Sequence, residues 1–443
     1  MTRESLAVAI EALSWMAYAG IGQRTALFKA AEQLSVRLPS ELRQAHKLVM
    51  ETTRYQNRLE SLVSDSAAEN KIQRTPHGVS GFLKILAYLK YVENVPERDL
   101  EQSARWARQI LGWKELLPFE KQIALIASGT LDAYRRKLTE FELLALQTCN
   151  PVWFVQRAIR VFSRAFALKI LARNLTLLPL YIRLNTLKIH SEDHATDIAN
   201  QVRGIRLAQP QNTLIMNRAP SALTRSESFK SGEIVVQDLA SIVTGLAASP
   251  KHGAFVLELC AAPGNKTSHL AAIMENTGEI CSIDISEKRL SHWRIEMDRT
   301  GVTVAYPILA DARRIPTRKD ADVVLVDPPC SNTGVFARNP SIKWKTSAAD
   351  VDQFAMRQHS ILEAGAEHVR PSGTLVYCTC SILPEENELI IEDFLRRHRD
   401  FRLVPQTPFL GSPGLRGLDL CQRFYSHIHD CNGYFIAKLQ RMD

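Results

Sequence analysis

Cysteine is scarce in this chain, with eight residues among 443 and no regular spacing. That is too few for a disulfide framework, so a reducing compartment is expected. Long hydrophobic runs are missing too. None approaches the ~20 residues that cross a bilayer, so no spanning helix is expected. The opening stretch MTRESLAVAIEALSWMAYAG is broken by Glu4 and Glu11 and has no cleavage pattern after it. It reads as an amphipathic helix rather than a signal peptide, and a cytoplasmic protein is expected (nucleolar in a eukaryote). Charge of one sign is only weakly in excess: 55 Lys and Arg against 47 Asp and Glu, with a pI near 9.0. The surplus suits a polyanionic partner and equally suits a generally basic enzyme. A phosphate-cradling P-loop is absent as well. LELCAAPGNKT (257–267) ends in Lys-Thr, but Asn265 and Cys260 stand where that motif needs glycine. The cysteines and histidines of CQRFYSHIHDC (421–431) match no standard zinc spacing, so no metal is expected.

What is present divides into three textures. Over 1–140, stretches such as SLAVAIEALSWMAYAG, ELRQAHKLVMETTRYQNRLESLV, GFLKILAYLKYVE and LEQSARWARQIL repeat apolar residues every three or four positions. They predict an all-helical packing or binding domain. Over 143–236, NPVWFVQRAIRVF reads as a helix, LPLYIRLNTLK as a strand and KSGEIVVQDLAS as a strand leading into a helix. That is a small mixed α/β unit, taken as an RNA-binding subdomain. From 237 to 443, apolar strands at 254–260, 278–284, 305–310, 321–327 and 373–379 alternate with helical stretches. This predicts a Rossmann-like, mostly parallel, doubly wound sheet, which makes the fold class multidomain α + α/β. In such sheets ligands bind at the carboxyl ends of the strands.

The chemistry-bearing residues lie at those ends. CAAPGNK (260–266) is a small-residue turn into a helix N-terminus, suited to a carboxylate or phosphate. Asp284 ends the second strand, roughly 20 residues past that turn, where an acid typically takes a ribose diol. Asp311 follows the third strand, in reach of an adenine amino group. Taken singly, each Asp is equally well a helix cap. VDPPCSNTG (326–334) puts Cys330 where amino-group methyltransferases often carry an aromatic residue, exchanging a stacking surface for a thiol. Cys380 follows at the exit of the next strand, so two sulfurs can converge. Carbon 5 of cytosine is too poor a nucleophile to take a methyl group directly. A thiolate adding to carbon 6 makes it an enamine, and a second thiol can assist release.

CAAPGNKT, DIS, LADA, VDPPCSNTG, YCTCSILPEENE and GYFIAKL together resemble the Sun (Fmu) family of RNA 5-methylcytosine methyltransferases. YIRLNTLK and SGEIVVQDLAS extend the likeness to about residue 145, and the helical N-terminus is similar to the NusB-like domain of the bacterial ribosomal-RNA members. The resemblance implies S-adenosyl-L-methionine as cofactor, held by Cys260, Ala261, Ala262, Pro263, Gly264, Asn265 and Lys266 with Asp284, Asp311 and Asp327. It implies Cys380 as the nucleophile, Cys330 as the residue aiding release, Asp327 at ring nitrogen 3 and Lys266 holding the base and Asp327. The chain departs from the family at Asn265, where glycine is usual; at Glu258, where Asp is common; and at Cys378, where Ser is usual. Asparagine tolerates the left-handed conformation, so the turn is expected to be retained, and Cys378 is read as packing. RLNTLK, QVRGIRLA and NPSIKWK (339–345) are candidate RNA contacts. Ribosomal RNA is the favoured partner and tRNA the second, with no membrane partner and a monomer expected. Intact Cys380, Cys330 and Asp327 argue against a catalytically inactive RNA-binding scaffold.

Overall fold

The computed structural model describes residues 1–67, 75–132, 137–217, 223–317 and 319–443. The chain forms two compact units, Met1–Thr176 with Asn339–Lys345, and Leu177–Arg338 with Thr346–Asp443. The expected boundaries near residues 140 and 237 do not coincide with this division. Residues 143–176 belong with the helices before them, because they bury apolar faces there, while the small sheet belongs to the larger unit.

The first unit is built of α1 (Arg3–Ala19), α2 (Gln23–Gln33), α3 (Pro39–Arg54), α4 (Gln56–Ser66), α5 (His77–Tyr91), α6 (Glu97–Leu111), α7 (Trp113–Leu116), α8 (Glu120–Ser128), α9 (Glu140–Thr148), α10 (Val152–Val161) and α11 (Arg164–Arg173). Leu6, Ile10 and Leu13 of α1 meet Val79, Phe82, Leu83 and Leu86 of α5 in one core. Their three- and four-residue spacing is what makes each helix amphipathic. Thr2 caps α1 by accepting from Ser5 N, and Gly20 closes it at φ +63°. The apolar run 41–63 becomes two helices, α3 and α4, meeting at Tyr55.

The second unit begins with β1 (Leu180–Leu184), α12 (Glu192–Val202), β2 (Ile205–Arg206), β3 (Thr213–Met216), α13 (Glu227–Lys230) and β4 (Ile234–Val236). These strands form an antiparallel sheet in the order β2-β3-β1-β4. After α14 (Leu239–Ala248) come β5 (Phe255–Leu259), α15 (Asn265–Ile273), β6 (Glu279–Asp284), α16 (Glu287–Thr300), β7 (Ala305–Leu309) and β8 (Ala321–Val326). The helical segment α17 (Pro340–Lys345) belongs to the first unit. Then follow α18 (Ala348–Glu367), β9 (Val369–Thr379), α19 (Glu388–Arg397), β10 (Phe401–Leu403), β11 (Ser412–Pro413), β12 (Gln422–Phe424), α20 (Ser426–His429) and β13 (Tyr434–Arg441). Five parallel strands run β7-β6-β5-β8-β9, and antiparallel β13 extends them, carrying β10 and β12 with β11 beyond. Val256, Val323, Leu325 and Cys378 face one core; Leu257, Val324, Val326 and Tyr377 face the other. Both faces are covered, which is why these strands read as unbroken apolar runs. The order reverses at β5, so a crevice for a ligand opens between the ends of β5 and β8.

The segment Asn339–Lys345 corrects an expectation. Lys343 is fully buried, and its Nζ donates to the carbonyls of Arg54 (2.8 Å) and Cys149 (2.5 Å). Trp344 Nε1 donates to Thr53 O at 2.6 Å, and Lys345 Nζ donates to Gly20 O and Ile21 O at 2.7 and 2.9 Å. These carbonyls lie at the C-terminal ends of α3, α9 and α1, where the last C=O groups lack intrahelical partners and the dipole favours a cation. The cations and the indole N–H of NPSIKWK are thus spent on helix ends, and its reading as an RNA contact does not hold. In RLNTLK, Arg183 and Asn185 are likewise taken up inside the protein, while Lys188 is exposed. Arg183 is buried and donates to Gln237 Oε1 and Ser268 Oγ at 2.8 Å each, and Asn185 donates to Gly232 O and Thr300 O at 2.8 Å each.

Candidate active site

The turn leaving β5 is shaped by two left-handed residues, Cys260 at φ +63° and Gly264 at φ +107°. A Cβ on Gly264 would lie 2.8 Å from Met297 Cε and 3.0 Å from Trp293 Cδ1, so glycine is required there. Ala261 N donates to Ile283 O, and Gly264 N donates back to Ala261 O, each at 3.0 Å. Asn265 is the first residue of α15, so the left-handed position falls on Gly264 and Asn265 has ordinary helical backbone. The turn is retained, for a different reason from the one expected. Asp284 is buried at the end of β6; its Oδ2 accepts from Ala262 N at 3.2 Å and its Oδ1 from Ser286 N at 2.9 Å. The half-exposed Arg289 guanidinium also donates to both oxygens at 2.7 Å. Asp311, past β7, is held by Arg313, which keeps its carboxyl below the usual carboxylate range.

Beside this turn the ends of β8 and β9 converge. Asp327 Oδ2 accepts from Lys266 Nζ at 2.6 Å. Burial alone would pull the pKa of Lys266 down, but Asp327 outweighs it and the ammonium is held more firmly protonated than usual. Cys378 donates to Asp327 Oδ1 at 3.6 Å and accepts from Tyr434 OH at 3.3 Å, so it bonds within the site as well as packing. Burial, then Asp327, pushes this thiol well up. Cys330 Sγ and Cys380 Sγ lie 3.1 Å apart, both unbonded thiols, and Cys380 Sγ lies 3.1 Å from Asn332 Oδ1. Asn332 is itself left-handed, φ +58°, and donates to Cys330 O at 2.8 Å. The hydrogen bond to Cys380, with burial behind it, pushes the Cys330 thiol well up, so Cys330 keeps its proton. Cys330 is buried while Cys380 is only partly buried. Cys260, pushed up to about 12 by burial and then by Asp327 and Asp284, is also a neutral thiol.

Residues 245–440 match the family described as 16S rRNA methyltransferase RsmB/F. Probable ribosomal RNA small subunit methyltransferase B of Bacillus subtilis (strain 168) is 29% identical over 391 residues, 84% of this chain and 85% of that protein. Ribosomal RNA small subunit methyltransferase B of Escherichia coli O9:H4 (strain HS) is 31% identical over 330 residues, 72% of this chain and 73% of that protein. The chain belongs to the RsmB/F family. The tRNA (cytosine(72)-C(5))-methyltransferase of Pyrococcus horikoshii is 36% identical over 231 residues, 52% of this chain and 58% of that protein. Among solved structures, PH0851 superposes with a TM-score of 0.83 at 25% identity, covering 100% of this chain and 99% of that chain. NSun6 from Pyrococcus horikoshii with SFG gives 0.61 at 25% identity, covering 66% and 98%. This chain is therefore a methyltransferase with the family's Rossmann-like domain.

In this RsmB/F-family chain the two thiol loops are joined by buried polar groups that the sequence reading missed. Glu386, fully buried, accepts from Ser331 N at 2.8 Å and from Gln358 Nε2 at 2.9 Å. Thr333 and Ser381 hydroxyls lie 2.9 Å apart across the loops, and Asn387 Nδ2 donates to Ser381 O at 2.9 Å. Glu388 is buried against Arg423. The acids of PEENE look like a solvated helix start; the partners that bury Glu386 and Glu388, namely Ser331, Gln358 and Arg423, lie 28 to 55 residues away, and no sequence spacing connects them. Gly334 is required as well, since a Cβ there would lie 2.0 Å from Gly433 O and 2.8 Å from Cys380 O. Around CQRFYSHIHDC, Tyr425 N donates to His429 Nδ1 at 2.9 Å, and Cys421 and Cys431 are buried. Among the described residues no group of three His, Cys, Asp or Glu side chains is arranged to hold a metal, and no helix is long and apolar enough to cross a membrane.

Proposed function

We propose that this protein transfers a methyl group from S-adenosyl-L-methionine to carbon 5 of cytosine in RNA, ribosomal RNA foremost, through a covalent cysteine–cytosine intermediate. The single observation that carries this reading is the 3.1 Å approach of Cys330 Sγ and Cys380 Sγ beside the Lys266–Asp327 pair. The names of the relatives point to ribosomal RNA and, for the archaeal one, to tRNA.

The donor set beside β5 suits the cofactor: a buried carboxylate, Asp284, for a ribose diol, the free N–H groups at the start of α15 for a carboxylate, and Asp311 for an amino-purine. Asn265, Lys266, Asp284 and Asp311 would hold it, with Cys260 through Gly264 lining the turn, and the bound cofactor supplies the electrophilic methyl group. Cytosine must be single-stranded or flipped out for its carbon 6 to be reached. Cys380, the more exposed thiol, attacks carbon 6. As carbon 6 is attacked, ring nitrogen 3 takes up the proton that the Cys380 thiol gives up, and Asp327, its carboxylate fixed by Lys266, accepts a hydrogen bond from that N–H. The S–H of Cys330 points its proton at the Cys380 sulfur and stabilises the thiolate both before attack and on departure. After methyl transfer, water takes the proton from carbon 5 and the C–H electron pair restores the ring double bond. The carbon–sulfur bond breaks with its pair on Cys380, and nitrogen 3 returns its proton to that thiolate.

Two substitutions test the division of labour. Cys380→Ala should abolish methylation and any covalent adduct. Cys330→Ala should still attack and methylate, then stall as an enzyme–RNA complex that survives denaturing electrophoresis. Methylation intact in both variants, with no adduct in either, would remove the two-thiol mechanism. Bisulfite sequencing of total RNA with and without the gene identifies the modified cytosine.

A further inference from the structure

The chain's positive charge is not spread evenly. Between Leu143 and Ser191 there are seven Lys and Arg and not one Asp or Glu, against an excess of eight for all 443 residues. At the chain's average of 47 acids in 443 residues, about five would be expected in that stretch. Nearly the whole net charge therefore sits in about a ninth of the sequence, and the remainder is close to neutral.

The fold decides which of these charges can meet a partner. Arg183, one of the seven, is buried on β1 and tied to Gln237 and Ser268. Five others lie on α10 and α11 of the helical unit: Arg157, Arg160, Arg164, Lys169 and Arg173. These helices bury Phe154, Val155 and Ala158, and Ala167, Ile170 and Leu171, so their backbones are held by apolar packing. The opposite faces carry the cations, with Arg160, Arg164 and Lys169 exposed. Glu140, at the start of α9, pairs with Arg164. A flexible basic tail would lose entropy on binding; here two packed helices present cations on rigid backbones, which reduces that cost.

We propose that the outward faces of α10 and α11 are a docking surface for the RNA phosphate backbone. This rests on the reading of the protein as an RNA methyltransferase and extends it: the surface binds phosphates rather than the reacting base and sets affinity rather than chemistry. Such contacts position a nucleic acid without reading its sequence and release counterions, so they leave a mark in the salt dependence of binding.

The test is the full chain carrying Arg160→Gln and Lys169→Gln together, with Arg98→Gln and Arg105→Gln on α6 as the control pair. RNA affinity is measured by fluorescence anisotropy across a salt series, and methyl transfer by incorporation of a labelled methyl group. The α10–α11 variant should bind RNA about tenfold more weakly at ~0.1 M salt, and the slope of log K against log salt should flatten by about 1.4 to 1.8. Its KM for RNA should rise while kcat at saturating RNA stays that of the parent, and the control pair should change neither. Unchanged affinity and slope would overturn the docking surface, as would an equal loss in the control pair. So would weaker binding to heparin with RNA binding intact, since that marks a general anion site. A parent protein that binds RNA with the expected slope but transfers no methyl group to cytosine would instead sink the functional reading and leave this surface standing.

Discussion

Asp284 and Glu258 are both buried carboxyl groups at the candidate site, yet the donors around them differ. Asp284 accepts from two backbone N–H donors and pairs with the Arg289 guanidinium. Asp284→Ala should therefore leave the fold intact and weaken S-adenosylmethionine binding at least tenfold by calorimetry; an unchanged affinity would take Asp284 out of the cofactor site. Glu258 accepts from the hydroxyls of Thr267 (2.6 Å) and Ser282 (3.1 Å), and burial outweighs these and the Lys266 charge, pushing its pKa up to about 7. Because the folded pKa is raised, its contribution to stability is fully present below the unfolded value near 4.5 and is lost as pH rises through about 7. Glu258→Gln keeps the acceptor without the charge. Its Tm relative to the parent should rise between pH 5 and pH 8, by a free energy of up to about 3 kcal/mol for a shift of this size. Parallel pH curves for the two proteins would mean that Glu258 stays ionised throughout. Nothing in the spacing of LELC distinguishes Glu258 from an ordinary solvated acid. Its character comes from Ser282, on the neighbouring strand, and from the core around it.

Among the elements, the strands are where sequence and structure agree best. The five apolar runs from 254 to 379 end within a residue of β5, β6, β7, β8 and β9, the last of which starts four residues early at Val369. Agreement is close because a strand buried on both faces must be continuously apolar, which is visible in any window of the sequence. The segment α17 is the opposite case. Lys343, Trp344 and Lys345 have the composition of a nucleic-acid contact, and only their partners show that they cap α3, α9 and α1. Burial in that position also pulls the pKa of Lys343 down to about 7. Lys343→Met keeps the aliphatic stem but leaves the carbonyls of Arg54 and Cys149 without their donor. Each buried carbonyl so stranded costs ~1–3 kcal/mol, partly offset by relief of a desolvated amine. A net loss of about 2 kcal/mol is expected at pH 8, read as a lower midpoint in chemical denaturation of the full chain. A midpoint equal to the parent's would show that the capping bonds contribute nothing.

For the molecule as a whole, the helical unit is discontinuous in sequence, since Asn339–Lys345 completes it from within the methyltransferase half. A fragment spanning Leu177–Asp443 should bind S-adenosylmethionine within about threefold of the full chain, because every candidate cofactor residue lies in it, and should bind RNA more weakly. The cleavage pattern gives an independent readout. Trypsin should cut the fragment after Lys343, whose side chain is fully buried in the full chain, and should spare that bond in the intact protein. Equal protection in both would mean that the segment does not depend on the helices for its structure. Local patterns in the sequence by themselves determined the parallel sheet, the turn from Cys260 to Gly264 and the presence of a cysteine at the exits of both β8 and β9. All of these follow from the chain's neighbours along itself: apolar continuity, small residues and prolines. Tertiary structure alone decided that Cys330 is the buried thiol and Cys380 the accessible one, that Glu386 and Glu388 are core residues, and that the cations of 339–345 cap helices. Those outcomes depend on which groups meet across separations of 35 to 325 residues along the chain. Desolvation and hydrogen bonding act through space, and a linear pattern records neither.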